Sequence, residues 1–348
     1  MSNWRDHVID AGIDSVDFAG QNLAGESFAG LRLNKVSFSR ADLSHCDFVG
    51  CDIEGCDFSG ATLTASTWRA SNIQSTSFSN AVLTGAQFIE VQAKGVDFSS
   101  VAASGSSWYS ALLDDCQFDQ AQLTAASLER ASATKGSFKS TDFSGANLSR
   151  ATFQGSELGT AVFRDTDMTQ CYLADAGLKG QSFTGCQLNM TLFNKADLTA
   201  ANFSGLVLSQ VNFTQAKLGQ ADFSGAVLSA IVFSMADLTG SNFSGAQFDQ
   251  VDCAGAQLKH VNAADSQYKH TVFKDADITQ AIFTKSRFRF CDLSKAKLDG
   301  SDFAETQFKA CHLYGLSELK TLWLGATFVD SLKEDALRTK ADLWQVPR

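Results

Sequence analysis

The sequence predicts an all-β solenoid, a chain wound into stacked coils, and three observations predict it. The first is register. In 348 residues, those whose numbers end in 3 or 8 from Ile13 to Leu313 form one unbroken set of 61 positions, and 56 carry a large apolar side chain. The exceptions are Ala93, Ala103, Ala133, Cys253 and Ala263, and 26 of the 28 Phe fall within the set. The second is alternation. Two residues before each centre stands Ala, Ser, Thr, Cys, Gly or Val at 55 of the 61 places. Gln21, Glu26, Leu31, Gln181, Leu206 and Ile231 depart from it, and the residue between is mostly polar, as in Asp42, Asn147 and Asp222. The third is proline. The chain has one, Pro347, where an average chain of this length carries roughly 17.

Small-in, polar-out, large-in is the alternation of a strand. The other two residues of each five must turn the chain, and Gly at twenty of the fifth positions permits the positive φ of a tight turn. A strand and a turn every five residues is too short for hairpins. Backbone groups must therefore pair between stacked coils. Proline, with no N–H to give, has no place in such a ladder. The 44% apolar content excludes a disordered chain, and the missing Pro and three-residue Gly period exclude collagen.

Stretches such as Ala146-Asn-Leu-Ser-Arg150, Ala221-Asp-Phe-Ser-Gly225 and Ala236-Asp-Leu-Thr-Gly240 follow an A(D/N)LXX pattern. The chain resembles the pentapeptide-repeat family over residues 11–315. The resemblance implies a right-handed quadrilateral β-helix with four pentapeptides per coil. That gives about fifteen coils and a rod on the order of 70 Å at ~4.8 Å per coil. Residues twenty apart then form columns. Phe18, Phe38, Phe58, Phe78, Phe98, Phe118 and Phe138 make one, and Phe28, Phe48, Trp68, Phe88 and Trp108 the opposite one. The aromatic positions shift at Phe138–Phe143 and again at Phe243–Phe248. Because the register never slips, both read as packing seams.

Stacked coils need capped ends. Residues 1–10 form the N-terminal cap, with Trp4 and Val8 spaced to close the first coil. The repeat falters at Leu316-Ser-Glu-Leu-Lys320, so residues 316–348 read as a degraded last coil followed by a short C-terminal helix. Ser331-Leu-Lys-Glu334 fits a capping box, and the helix is expected over 332–344. Trp323, Phe328, Leu332, Leu337 and Trp344 are the candidates for this cap. The resemblance to family members that bind DNA gyrase implies the alternative, a homodimer through the C-terminal end.

Chemistry is sparse. Of nine Cys, eight sit at the small inward position and Cys253 at a centre. Such thiols act as small buried hydrophobes and fit a reducing, cytoplasmic setting. Cys291 and Cys311 share a column, but parallel side chains suit a disulfide poorly. The five His are scattered, no phosphate loop or nucleophile elbow occurs, and a smooth rod offers no cleft. No enzyme, cofactor or metal is expected. The start of the chain lacks an apolar signal core and no run of 18 apolar residues occurs, so neither secretion by a signal peptide nor a membrane span is expected.

The surface carries what functional signal there is. Net charge is −10, and residues 42–129 hold 11 acidic residues against only Arg69 and Lys94. Residues 259–309 hold nine basic against seven acidic. Asp42, Asp47, Asp52, Glu54, Asp57, Asp97, Asp114 and Asp115 form a candidate acidic contact surface, which repels nucleic acid and attracts basic protein surfaces. Leu112, Tyr172, Leu192, Val207 and Val227 are outward apolar residues and a candidate apolar contact surface. The expectation is a non-enzymatic, rigid scaffold for a protein partner, with no direct nucleic-acid binding. The resemblance allows a bacterial secretion-system accessory. It also offers an alternative, a DNA mimic that binds DNA gyrase as quinolone-resistance members do. Low charge density weighs against the mimic, since Asp17, Asp57 and Asp97 alternate with uncharged residues, and so does the lack of any insertion in the array.

Overall fold

A computed structural model of the chain describes residues 4–331 and 333. Its logic is set by the five-residue unit. In Ala41–His45 every backbone N–H has its own acceptor. Ala41 N–H donates to Phe38 O at 3.0 Å and closes the turn; Asp42 N–H donates to Gln21 O at 2.9 Å, one coil back. Leu43 N–H reaches Thr62 O at 2.7 Å and His45 N–H reaches Thr64 O at 2.9 Å, one coil forward. Ser44 N–H, the one left over, donates to Asp42 Oδ1 at 3.0 Å. Ala221–Gly225 repeats the scheme, with Ser224 N–H on Asp222 Oδ1 at 2.9 Å. The outward Asp or Asn thus closes an Asx turn. It is a structural residue before it is a charge.

The fifth residue has positive φ at every such position from Ser15 to Asp330 except Thr160, but glycine is not what makes this possible. Gly50 and Gly225 lie at φ 65 and 64, and Arg40, Ala65 and Gln120 lie at φ 55, 54 and 61. The left-handed region costs a non-Gly residue about 1–2 kcal/mol. The forward hydrogen bond it enables, such as Arg40 N–H to Ser59 O at 2.9 Å, offsets that cost.

Bridges at Asp17↔Ser37, Asn22↔Asp42, Ser27↔Asp47 and Arg32↔Asp52 give four parallel pairings in twenty residues, so the coil has four sides. The array makes a β-solenoid of about 16 turns. It divides into two compact units, Met1–Leu192 and Phe193–Arg348. In the first unit one side forms a six-stranded parallel sheet: β1 (Gly12–Asp14), β2 (Arg32–Asn34), β3 (Asp52–Glu54), β4 (Asn72–Gln74), β5 (Gln92–Lys94) and β6 (Leu112–Asp114). In the second, a seven-stranded parallel sheet begins five residues earlier in the twenty-residue frame. Its strands are β7 (Val207–Ser209), β8 (Val227–Ser229), β9 (Gln247–Asp249), β10 (Gln267–Lys269), β11 (Arg287–Arg289), β12 (Gln307–Lys309) and β13 (Thr327–Val329). Coil pairing therefore continues through the degraded repeat to β13.

The core is two columns of rings in contact. Within the first unit, Phe38, Phe58 and Phe78 stack at 4.9 and 4.8 Å, and Phe48 stacks on Trp68 at 4.1 Å. The two columns meet edge to face, as Phe58 and Trp68 do at 5.4 Å, the geometry that aromatic quadrupoles favour. The seams at Phe138–Phe143 and Phe243–Phe248 each lie inside one unit, with tilted rings 5.7 and 5.3 Å apart. At the small inward position, polar side chains reach back to the preceding coil. Thr141 Oγ1 donates to Phe118 O at 2.6 Å, and Cys46 Sγ to Leu23 O at 3.0 Å. This is how hydroxyls and thiols are accommodated at full burial.

Trp4 is buried in a short 3-10 turn over Trp4–His7; its ring lies 4.5 Å from Phe28 and under the Arg5 guanidinium at 4.6 Å. Val8 is only half-buried. The helix expected over 332–344 lies outside the described residues.

Replacing Phe203 by Ala is expected to cost roughly 3–5 kcal/mol, as deletion of a buried ring does. Asn202→Ala, which frees the Ser204 N–H now 2.9 Å from Asn202 Oδ1, is expected to cost about 1 kcal/mol, like loss of a helix cap. Denaturant melts decide it, and a Phe203 cost below about 1 kcal/mol is incompatible with the inward assignment.

Candidate functional site

The candidate site is the outward surface, and the structure sorts its residues by which side of the coil they occupy. Asp42, Asp47, Asp52 and Asp57 fall on four successive sides of one turn, so they ring the coil instead of forming a stripe. Three of them are turn caps: Asp47 Oδ1 accepts from Val49 N–H at 2.9 Å and Asp57 Oδ1 from Ser59 N–H at 2.8 Å, as Asp42 does from Ser44. Asp97 does the same for Ser99 at 2.9 Å. The Ser44 hydroxyl and N–H hold the Asp42 carboxyl below its ordinary range. Along the side that carries Asp57 and Asp97, Ser77 stands between them.

The other acidic candidates are different. Asp52 and Glu54 are both exposed on β3, where the sheet replaces the Asx turn, and Asp52 Oδ1 accepts from Asn72 Nδ2 at 2.9 Å. Asp114 accepts from Thr134 Oγ1 at 3.0 Å and Asp115 is exposed at the turn. The eight carboxylates therefore divide into four caps and four residues, Asp52, Glu54, Asp114 and Asp115, free of that duty. The sequence carried a signal for this division in the Ser or Thr that so often stands two residues after a capping Asp or Asn.

The apolar candidates do not gather into one patch. Leu112 is exposed, and Ser132 and Thr152 separate it from Tyr172 along its column. Tyr172 and Leu192 are paired neighbours, both half-buried. Val207 and Val227 are paired neighbours in the other unit, on β7 and β8, and Val207 is 72% exposed.

At the C-terminal end, Trp323 stacks on Phe303 at 4.8 Å and Phe328 on Phe308 at 5.1 Å. Phe328 is exposed, as are Leu322, Leu324 and Val329 around it. The Lys333 ammonium lies over both rings, at 4.9 and 5.4 Å, and pairs with Glu318 at 3.0 Å. Leu332, Leu337 and Trp344 lie outside the described residues.

Two features went unread in the sequence. Gln181, one of the large exceptions at the small inward position, turns its amide into the ladder. Its Nε2 donates to Leu158 O at 2.6 Å and Ala161 O at 2.9 Å. Beside it a notch of about 680 Å³ opens, lined by Thr160, Arg164, Asp165, Ser182 and Thr184 among others. The second is a row of cations on β10–β12, where alternate residues project outward and the charge balance of 259–309 becomes local.

All nine thiols are free and buried. Burial pushes Cys46 and Cys56 up to about 11, and Cys51, Cys116 and Cys186 up to about 12. Cys311 departs from them: a hydrogen bond from the Cys291 thiol on the neighbouring coil holds it below the ordinary thiol range and raises Cys291. Among the described residues, no cluster of three His, Cys, Asp or Glu side chains is placed to hold a metal ion, and no helix is long and apolar enough to cross a membrane.

Sequence comparison matches three descriptions to the chain. "Pentapeptide repeat region" covers residues 21–98. "Pentapeptide repeats (8 copies)" recurs over 111–229 in overlapping matches and over 271–316, and "Pentapeptide repeats (9 copies)" covers 213–257. No curated protein matches. Among solved structures, HetL, a pentapeptide repeat protein involved in heterocyst differentiation regulation from the cyanobacterium Nostoc sp. strain PCC 7120, is 21% identical over 78% of this chain and 90% of its own, with a TM-score of 0.22. Full-length QnrB1, a plasmid-mediated fluoroquinolone resistance protein, is 20% identical over 51% of this chain and 92% of its own, with a TM-score of 0.21. A pentapeptide repeat protein from the Arabidopsis thaliana thylakoid lumen is 34% identical over 26% of this chain and 67% of its own, with a TM-score of 0.23.

The two kinds of carboxylate and the buried thiols give separate tests. Asp42→Asn keeps the cap acceptor and is expected to leave stability unchanged, whereas Asp42→Ala is expected to cost about 1 kcal/mol in denaturant melts. Equal effects mean the charge, not the cap, matters. With a thiol reagent at neutral pH, all nine thiols are expected to label only on unfolding, because burial withholds them from the reagent. Mass mapping that finds Cys46 or Cys51 labelled in the folded protein contradicts this.

Proposed function

Because this chain belongs to the pentapeptide-repeat family, we propose that it is a non-enzymatic scaffold that presents fixed columns of side chains to a protein partner. The observation that carries this reading is the closed hydrogen bonding of the repeat. With the backbone N–H groups bound within or between coils, the surface offers side chains at regular spacing, ~4.8 Å from coil to coil, on a backbone with little freedom to close around a substrate. Interfaces of stable complexes bury large, well-packed areas, and flat sides of this kind suit that use better than they suit catalysis. The nine buried free thiols support a reducing compartment, the cytoplasm.

A DNA mimic that binds gyrase is the competing reading. It requires a continuous negative stripe, and the placing of the turn caps Asp42, Asp47 and Asp57 on three different sides, with Ser77 interrupting Asp57 and Asp97 on the one they share, favours the scaffold over it. The C-terminal end, with Trp323 and Phe328 at its last coil, is proposed as the cap or homodimer contact.

Two measurements test the scaffold. At roughly micromolar protein, a range in which specific complexes form, DNA gyrase supercoiling and its poisoning by quinolones are expected to be unchanged; inhibition or protection transfers the function to the mimic. Affinity capture from host lysate is expected to recover a protein retained by the wild type. A Glu54→Lys, Asp115→Lys variant separates acidic-surface contacts from others. Failure to retain any protein at low salt overturns the scaffold reading.

A further inference from the structure

Some outward cations on this protein have a counter-ion. Arg5 pairs with Glu26 at 2.6 Å and Lys259 with Asp277 at 3.2 Å. What sets the sheet of the second unit apart is that its cations are aligned on neighbouring strands. Strands β10, β11 and β12 pair in register, which aligns Gln267, Arg287 and Gln307 in one outward row and Lys269, Arg289 and Lys309 in the next. All six are exposed, on either side of the buried Tyr268, Phe288 and Phe308. Three like charges thus stand on successive strands ~4.8 Å apart, an arrangement that destabilises a sheet by itself. Lys269 has a counter-ion in Asp249 at 3.0 Å. Among the described residues no carboxylate pairs with Arg287, Arg289 or Lys309. At the turn beside them Phe290, 55% exposed, stacks on His270 with ring centres 5.3 Å apart.

We propose that the outward face of β10–β12 is a docking surface for an extended acidic segment of a partner protein, one with Asp or Glu at alternate residues. The inference rests on the scaffold reading and supplies the chemistry of its partner. Arg287 and Arg289 project from one strand two residues apart, about 6.7 Å at the rise of a strand. Alternate side chains of an extended partner laid along β11 have that same spacing. Guanidinium groups take carboxylates in paired, planar hydrogen bonds, and Lys269 and Lys309 flank them as point charges. Phe290 gives the segment an apolar contact at the strand's end. The size of the patch decides against nucleic acid. Proteins that hold DNA through its backbone neutralise roughly 6–10 phosphates, and this face offers four cations, one already paired. A second copy of the chain carries a matching run in Asp52-Ile-Glu54, exposed on β3, but two copies of net charge −10 repel.

The test is fluorescence anisotropy on the full chain with a short labelled peptide carrying glutamate at alternate residues. The wild type is expected to bind it, and to weaken at least about tenfold when salt rises from roughly 50 to 200 mM. An Arg287→Ala, Arg289→Ala variant is expected to lose at least about tenfold in affinity, with a melting temperature no lower than the wild type's, because both side chains are exposed and their removal relieves like-charge repulsion. Lys139→Ala, an exposed cation in the other unit, is expected to bind like the wild type. The proposal is overturned if the glutamine version of the peptide binds equally well or neither binds. It is also overturned if Lys139→Ala loses as much as the double variant, or if an oligothymidine binds more tightly than the peptide at the same salt. Salt-sensitive self-association in the ultracentrifuge, competed by the peptide, assigns the face to a second copy instead. Retention of a lysate partner by the double variant leaves the scaffold standing without this face; loss of all retention by the wild type removes the scaffold itself.

Discussion

Backbone hydrogen bonding governs this protein, and it closes within five residues. One N–H closes the turn, one reaches back a coil, two reach forward, and in units with an outward Asp or Asn the fifth is taken by that side chain, as in Ala41–His45. A buried unpaired N–H is costly, so each of the five positions is under constraint. Proline fits none of them. Side chains at the small position add further bonds to the preceding coil, which lets Ser, Thr and Cys line the core beside stacked rings.

Much of this was legible in the chain. The register and the inward and outward assignment follow from counting residues ending in 3 and 8, because a strand alternates with period two and a turn has fixed length; the aromatic columns and the two seams follow once the coil is given four sides. Four sides per coil was not in the spacing and came with the family resemblance. Three features were hidden. Arg40 and Ala65 adopt positive φ without glycine, because local propensity yields to two coils of hydrogen bonding. The Asx role of Asp57 reads in sequence as a solvated charge unless the Ser59 two residues on is taken as its sign. The side on which a sheet replaces the turns, first the one carrying Asp52 and then the one carrying Val207, has no composition of its own that we can identify.

That last feature organises the surface. Where Asx turns close the coil, the outward carboxylate is already engaged, and its charge is a by-product of folding. Where sheet replaces them, two outward residues per strand are released from structural duty. Asp52 and Glu54 on β3, Val207 and Val227 on β7 and β8, and Arg287 and Arg289 on β11 all sit on such strands. The sheet sides are therefore where chemistry at the surface can be chosen independently of the fold. A reading by net charge alone merges the two kinds of acidic residue and misses this.

The in-register pairing of residues twenty apart within each unit has a consequence for how such a chain changes length. Removing or duplicating any twenty consecutive residues of the array returns each remaining side chain to its own column, so a whole coil is a permitted unit of deletion or insertion. Losing a single residue turns the following ring outward and sends a carboxylate into the core. Length is thus quantised: free to drift in steps of one coil, and held fast between them.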